Sequence, residues 1–394
     1  MEAASTWALG EARHWAELAA VRSSPTDVPA DTLALAELEQ QLGEYALASA
    51  HLAALRAYPA VAGSVERLLG RIAFETGRPK DAVDHLERAE DSGERGAAVS
   101  WPLTMALCDL GRFDEARARA SAQLRAVGDA DLRGRLDALA NLGVVAFREG
   151  DLVEASAELE EARDIALELG DLLRLAHVTG DLAGARFVNG RLADAAALLD
   201  EATALAHQLG ARRLVAMTLG NLAQVRLAGG DREGAVRAAV AGADGALGIG
   251  DTAIALDFLQ VPAVVAELDG DYTQAATWWR RHAQLEERLG RTHDAAISWL
   301  RQATLLVVEG DDAGGLAAIS HADEVAAGLT TDDLELHRSR ALAARAGSYD
   351  PPPEGITASI ALPPLDVALP LPTAAVVDAL FDRVERSASA YQPA

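Results

Sequence analysis

Arg148-Glu149-Gly150-Asp151-Leu152-Val153-Glu154-Ala155 reads as a turn between two helices. Its glycine supplies the positive φ that ends a first helix, and the residues behind it begin a second. The same glycine recurs at Gly43, Gly77, Gly111, Gly190, Gly230, Gly270 and Gly310, in steps of 34, 34 and 39 residues and then four of 40. That regularity marks an internal repeat.

The frame around the glycine defines the unit. Five residues after it stand Ala48, Ala82, Ala116, Ala155, Ala195, Ala235 and Ala275, with Gly315 last; eight before it stand Leu35, Leu69, Leu103, Leu142, Leu182 and Leu222, with Pro262 and Gln302 breaking the pattern. One helix carries a leucine into the core, and the next offers a small residue where two backbones come close. On these residues the chain resembles the tetratricopeptide-repeat family, over roughly residues 30 to 327 and eight units in register. The resemblance implies an all-α, right-handed superhelical solenoid of about eight antiparallel helix pairs.

Beyond residue 130 a second turn becomes equally regular: Leu169-Gly170-Asp171, Leu209-Gly210-Ala211, Ile249-Gly250-Asp251 and Leu289-Gly290-Arg291. Each unit is then two helices of about 16 or 17 residues, roughly 25 Å long at 1.5 Å rise per residue. Such long repeats resemble those in the sensor regions of large bacterial transcription regulators and signalling ATPases. The resemblance ends there, because no Walker-type loop and no DNA-binding pattern accompanies the repeats.

Five segments are expected: a capping helix within 1–26, units of about 34 residues over 27–130, units of about 40 over 131–346, a proline-rich apolar extension over 347–372, and an amphipathic helix with its tail over 373–394. The third unit is irregular. Trp101-Pro102 suits a helix starting after Ser100, which lengthens the loop from Asp91 to Gly96. A closing helix is expected over 332–345 and a final one from Thr373 to about Ser387, with Val376, Val377, Leu380, Phe381 and Val384 on one face. Residues 349–372 hold seven of the fourteen prolines among apolar residues. The sequence leaves two fates for this tail: folding back on its own solenoid, or pairing the last helix with another chain in a homodimer.

Composition agrees with helices packed on small residues: half the 394 residues are apolar and only 4% aromatic. The formal charge of −25 would repel a polyanion over most of the surface, which argues against direct nucleic-acid binding. Cys108 is the only cysteine, so neither an internal disulfide nor a cysteine-rich zinc cluster can form, as in a reducing compartment. The first residues lack the basic lead and apolar run of a secretory signal, and no stretch reads as a membrane span. A soluble, cytoplasmic protein is expected.

Chemistry is scarce. No His-Glu-x-x-His or metal-spaced cluster occurs, and Gly245-Ala246-Leu247-Gly248-Ile249-Gly250 follows a helix rather than a strand, so it reads as the recurring turn and not as a phosphate loop. Neither an enzyme nor a cofactor is expected. In the family, residues six, nine and ten before the turn glycine line a concave groove. Nine before it, this chain has Asn141, Asp181 and Asn221, a polar ladder with the alternative of mere helix–helix bonding; in the family such asparagines hold a peptide backbone, and Asp181 departs from that pattern. Further groove candidates are Arg67 and Arg71, Trp101, Gln224, Gln260 and Arg301. Trp278 and Trp279 diverge by about 100° around their helix, so both cannot enter one core layer equally; one is a candidate exposed contact, with filling of the space beside Pro262 as the alternative. The expected function is a scaffold or adaptor holding a protein or peptide in its groove, with a ligand-sensing regulatory module as the alternative.

Overall fold

A computed structural model describes residues 28–41, 45–128, 130–327, 329, 331–345, 347 and 372–390. Its helices are α1 (Val28–Gln41), α2 (Tyr45–Leu55), α3 (Ala62–Glu75), α4 (Pro79–Asp91), α5 (Ala97–Asp109), α6 (Phe113–Ala126), α7 (Leu132–Glu149), α8 (Leu152–Leu169), α9 (Leu172–Val188) and α10 (Leu192–Leu209). They continue as α11 (Arg212–Ala228), α12 (Arg232–Gly248), α13 (Thr252–Phe258), α14 (Gln260–Leu268), α15 (Tyr272–Arg288), α16 (Thr292–Val308), α17 (Asp312–Val325), α18 (Asp332–Arg345) and α19 (Ala374–Ala390). No strand occurs among the described residues. The expected capping helix, the turn at Gly43 and nearly all of the proline-rich extension lie outside the described residues.

The turn glycines do what the repeat requires. Gly77, Gly111, Gly150, Gly190, Gly230, Gly270 and Gly310 all have φ between 69° and 90°. The aspartate behind many of them restarts the chain: Asp131, Asp151, Asp171, Asp231, Asp251, Asp271 and Asp311 each accept a bond from the backbone N–H three residues on, satisfying a donor that the first helical turn would leave open. Arg191, Ala211 and Arg291 stand at the same place without a capping bond.

The alanine five residues past the glycine is the tightest point of each pair. Ala48, Ala82, Ala116, Ala155, Ala195, Ala235 and Ala275 are all 0% exposed. The partner helix matches it with an equally small residue: a Cβ on Gly143 would stand 2.6 Å from Leu159 Cγ, closer than two carbon atoms can approach.

The chain divides into two compact units. Unit 1 comprises the described residues up to 191 together with 204–210, and unit 2 comprises 192–203 and the described residues from 211 on. In unit 1, α3 packs on α4 and α7 on α8. One of its cores joins Leu86, Leu103, Leu107, Cys108 and Val145. In unit 2, α11 packs on α12, α15 on α16, and α16 on both α17 and α18.

Two first helices differ from the reading of the sequence. α5 begins at Ala97, behind Gly96 with φ 87°, and carries Pro102 inside it rather than starting at the proline. Pro102 is the sixth residue of α5, past the open donors of the first turn, so its missing N–H removes the helical bond that the Ala98 carbonyl would accept. The helix expected over 252–268 is broken at Leu259 into α13 and α14. Pro262 lacks an N–H and its ring excludes the carbonyl four residues back, that of Phe258, which is the last residue of α13. The break swings the Phe258 ring against α11 and α12, where a Cβ on Gly220 would stand 1.9 Å from Phe258 Cε1 and one on Gly242 3.0 Å from Cδ2.

Candidate functional site

The first helices carry a stripe of equivalent positions, and neighbouring packing decides which stripes remain open. On α7 in unit 1 the stripe is covered: Asn141 is 1% exposed, its Nδ2 lies 3.3 Å from Ser100 Oγ of α5, and its buried Oδ1 has no hydrogen-bond partner. Asp137 beside it is buried and bound by Arg174 at 2.7 Å; desolvation raises its pKa against the pull of Arg174 and Arg133.

On α9 the stripe is open. Leu173, His177, Asp181 and Val188 are exposed. Yet the protein around Asp181 desolvates its carboxyl and pushes it up to about 7, opposed only by Arg174. His177 is moved the other way, down to about 4, by desolvation, then by Arg174 and by Arg71 of α3. Side chains that reach water with this much of the chain near them define the candidate recess on α9. Arg71, 45% exposed, bonds Glu75 at 3.1 Å and stands near enough to His177 to help lower its pKa.

Other candidates from the sequence are taken up within the fold. Arg67 pairs with Glu37 at 2.6 Å and Glu94 at 3.4 Å. Trp101 sits half-buried, edge-on to Phe74 with ring centroids 5.4 Å apart. In unit 2, Arg301 is 9% exposed, 3.3 Å from Glu267 and stacked over the Trp279 ring at 4.2 Å, so it braces a helix pair. Gln260 is half-buried at the start of α14, whereas Asn221 and Gln224 are exposed on α11 along with Met217. The structure therefore gathers Arg71, His177 and Asp181 in unit 1, and Asn221 and Gln224 on one open stripe of unit 2. His177 was missed from sequence; its place four residues before Asp181 on one helix face was the available signal.

A buried polar cluster in unit 2 is the other concentration of chemistry. His282 is 1% exposed, with Nε2 3.2 Å from the Leu256 carbonyl and Nδ1 3.0 Å from Ser298 Oγ. A carbonyl only accepts, so Nε2 carries the proton and the Ser298 hydroxyl donates to Nδ1. Burial holds this imidazole neutral, down to about 3. Glu286, 0% exposed, has Oε2 2.9 Å from Arg291 Nε without an aligned hydrogen bond at either oxygen. Desolvation pushes it up to about 8, because Arg291 also pairs with Asp257 at 2.7 Å and Asp294 at 3.0 Å and offsets only part of the cost. Ser298, at 2% exposure, has no access to a substrate, so this trio serves packing rather than nucleophilic chemistry.

Among the described residues no group of His, Cys, Asp and Glu is arranged to hold a metal, and no helix is long and apolar enough to cross a membrane. No protein-family model and no curated protein sequence matches the chain. Solved structures do. A Rap protein complexed with Competence and Sporulation Factor is similar at TM-score 0.56 and 14% identity, over 87% of this chain and 98% of that one. A Signal Transduction ATPase with Numerous Domains from Pyrococcus horikoshii, which carries a tetratricopeptide-repeat sensor, is similar at TM-score 0.51 and 15% identity, over 78% of this chain and 51% of that one. At such identities the likeness speaks for architecture alone, and with the repeat register and paired helices it gives this chain the fold of the tetratricopeptide-repeat proteins.

Proposed function

We propose that the chain is a non-enzymatic interaction module that binds a protein or peptide segment along its first helices, with the recess at α9 as a principal contact. The supporting observation is the chemistry of that recess: Asp181 and His177 are exposed on one face of α9, the surrounding chain shifts both, and Arg71 of another helix acts on His177. Polar groups held by the fold in this way offer a ligand backbone or side chain preset hydrogen-bonding partners. Asn221 and Gln224 form a separate open stripe within unit 2. The resemblance in fold to a Rap protein complexed with a signalling factor, and to a sensor of repeats, fits this reading. It also supports a second, in which the ligand is a regulatory signal and the chain controls a partner.

Panning a phage-displayed random peptide library on the full chain tests the proposal. Selected peptides should lose at least tenfold in affinity with Asp181→Asn and with Arg71→Ala, and a photo-crosslinker at residue 177 should capture them. Peptides that bind both variants as tightly as the parent would refute it. A metabolite fraction that raises the melting temperature when no peptide does would favour the second reading.

A further inference from the structure

The C-terminal helix α19 does not lie on the row of first helices. It packs within unit 2 against α12, α13 and α15, two second helices and the half-helix between them. Its apolar face is Val377, Leu380, Phe381, Val384 and Ala388, spaced as one side of a helix and 0 to 7% exposed.

The polar rim is a lock of opposite charges. Arg281 of α15 stacks over the Phe381 ring at 5.0 Å, bonds Asp382 at 2.5 Å and Glu385 at 2.9 Å, and stands 3.5 Å from Asp378. The three carboxylates at positions i, i+4 and i+7 thus converge on one guanidinium. Trp278 donates its indole N–H to Asp378 at 2.8 Å, and Arg383 pairs with Asp244 of α12. Trp279, a third of a turn away, faces the interior of the pair α15–α16 instead, under Arg301. Trp279 thus belongs to the pair α15–α16, and α19 lies over that pair rather than within it.

From this geometry we propose that α12, α13 and α15 form a docking surface for an acidic amphipathic helix. α19 occupies it in cis, and a partner protein's helix with the same apolar face and carboxylate triplet displaces α19. This surface shares no residue with the recess at α9, so it stands or falls independently of the function proposed above.

A fluorescein-labelled peptide spanning residues 372–390 is the probe. It should bind full-length Phe381→Asp/Val384→Asp, in which the chain's own helix is undocked, at least tenfold more tightly than the wild-type chain. Adding Arg281→Glu to that variant should weaken binding at least tenfold, and a peptide carrying Asp382→Arg should recover part of it. If circular dichroism shows the double variant unfolded, full-length Asp382→Arg/Glu385→Arg replaces it, since both carboxylates lie on the solvent side of the helix with 56% and 37% exposure. Equal binding to the wild-type and undocked chains, or indifference to Arg281→Glu, overturns the proposal. So does a wild-type dimer in which α19 crosslinks to a second copy.

Discussion

Replacing Glu286 with glutamine tests whether this buried carboxyl is protonated in the native state. The ordinary glutamate value is 4.5, and burial pushes Glu286 up to about 8. Between these values the unfolded chain has released a proton that the native state still holds. Because the folded pKa is the higher, the native state loses stability as pH rises from 4.5 towards 8, by about 1.4 kcal/mol per unit. At pH 7 the accumulated loss is about 3 kcal/mol, an upper figure because the site can relax. Glutamine has the shape of the protonated acid and cannot ionise. Glu286→Gln should therefore match the parent near pH 4, exceed it by up to about 3 kcal/mol at pH 7, and flatten the dependence between. Urea unfolding at pH 4, 5.5, 7 and 8, followed by circular dichroism, gives the comparison. The opposite sign at pH 7 would refute the reasoning, because it would mean that Glu286 is charged and locked to Arg291; breaking such a buried pair costs about 3 to 5 kcal/mol.

Three further outcomes are expected. Gly220→Ala gains up to about 1 kcal/mol of helix propensity but drives a Cβ into the Phe258 ring, for a net loss on the order of 1 to 3 kcal/mol by thermal melting; an unchanged melt would place Phe258 elsewhere. Asp151→Ala removes the bond to the Glu154 N–H and should cost about 1 kcal/mol by urea unfolding, whereas Asp151→Asn, which keeps a capping oxygen, should cost much less. A cationic peptide that binds at α9 should bind more tightly as pH rises through about 7, where Asp181 gains its charge, and Asp181→Asn should abolish that dependence in a fluorescence titration.

The repeat register was legible because it is written in residues whose backbone or volume requirements admit few substitutes. A glycine at φ 69° to 90° and an alanine at 0% exposure leave the same mark in every unit. The tail helix was equally plain, since its apolar face has a period that a loop does not need. Its receptor was not, because Arg281 and Asp378 are far apart in sequence and a charge pattern on one helix does not name its counter-charge. The adjacent tryptophans hold the clearest case: their 100° divergence showed that they face different neighbours, yet only packing reveals that Trp279 closes a helix pair and Trp278 receives α19.

The site was the least legible part, and the reason lies in a single register position. Asn141, Asp181 and Asn221 occupy equivalent places nine residues before their glycines, and the sequence treats them as one ladder. α5, reached through the irregular loop that ends at Gly96, brings Ser100 onto α7 and buries Asn141; among the described residues Asp181 on α9 and Asn221 on α11 stay exposed. Equivalence in a repeat fixes the direction of a side chain, but exposure depends on the next helix, and a change of pitch alters that helix without altering the position itself. Asp181 departs from the asparagine pattern at an open position, and under the proposed function its carboxyl, which takes its charge near pH 7, would answer a ligand's charge; buried like Asn141, the same carboxyl would lack that role.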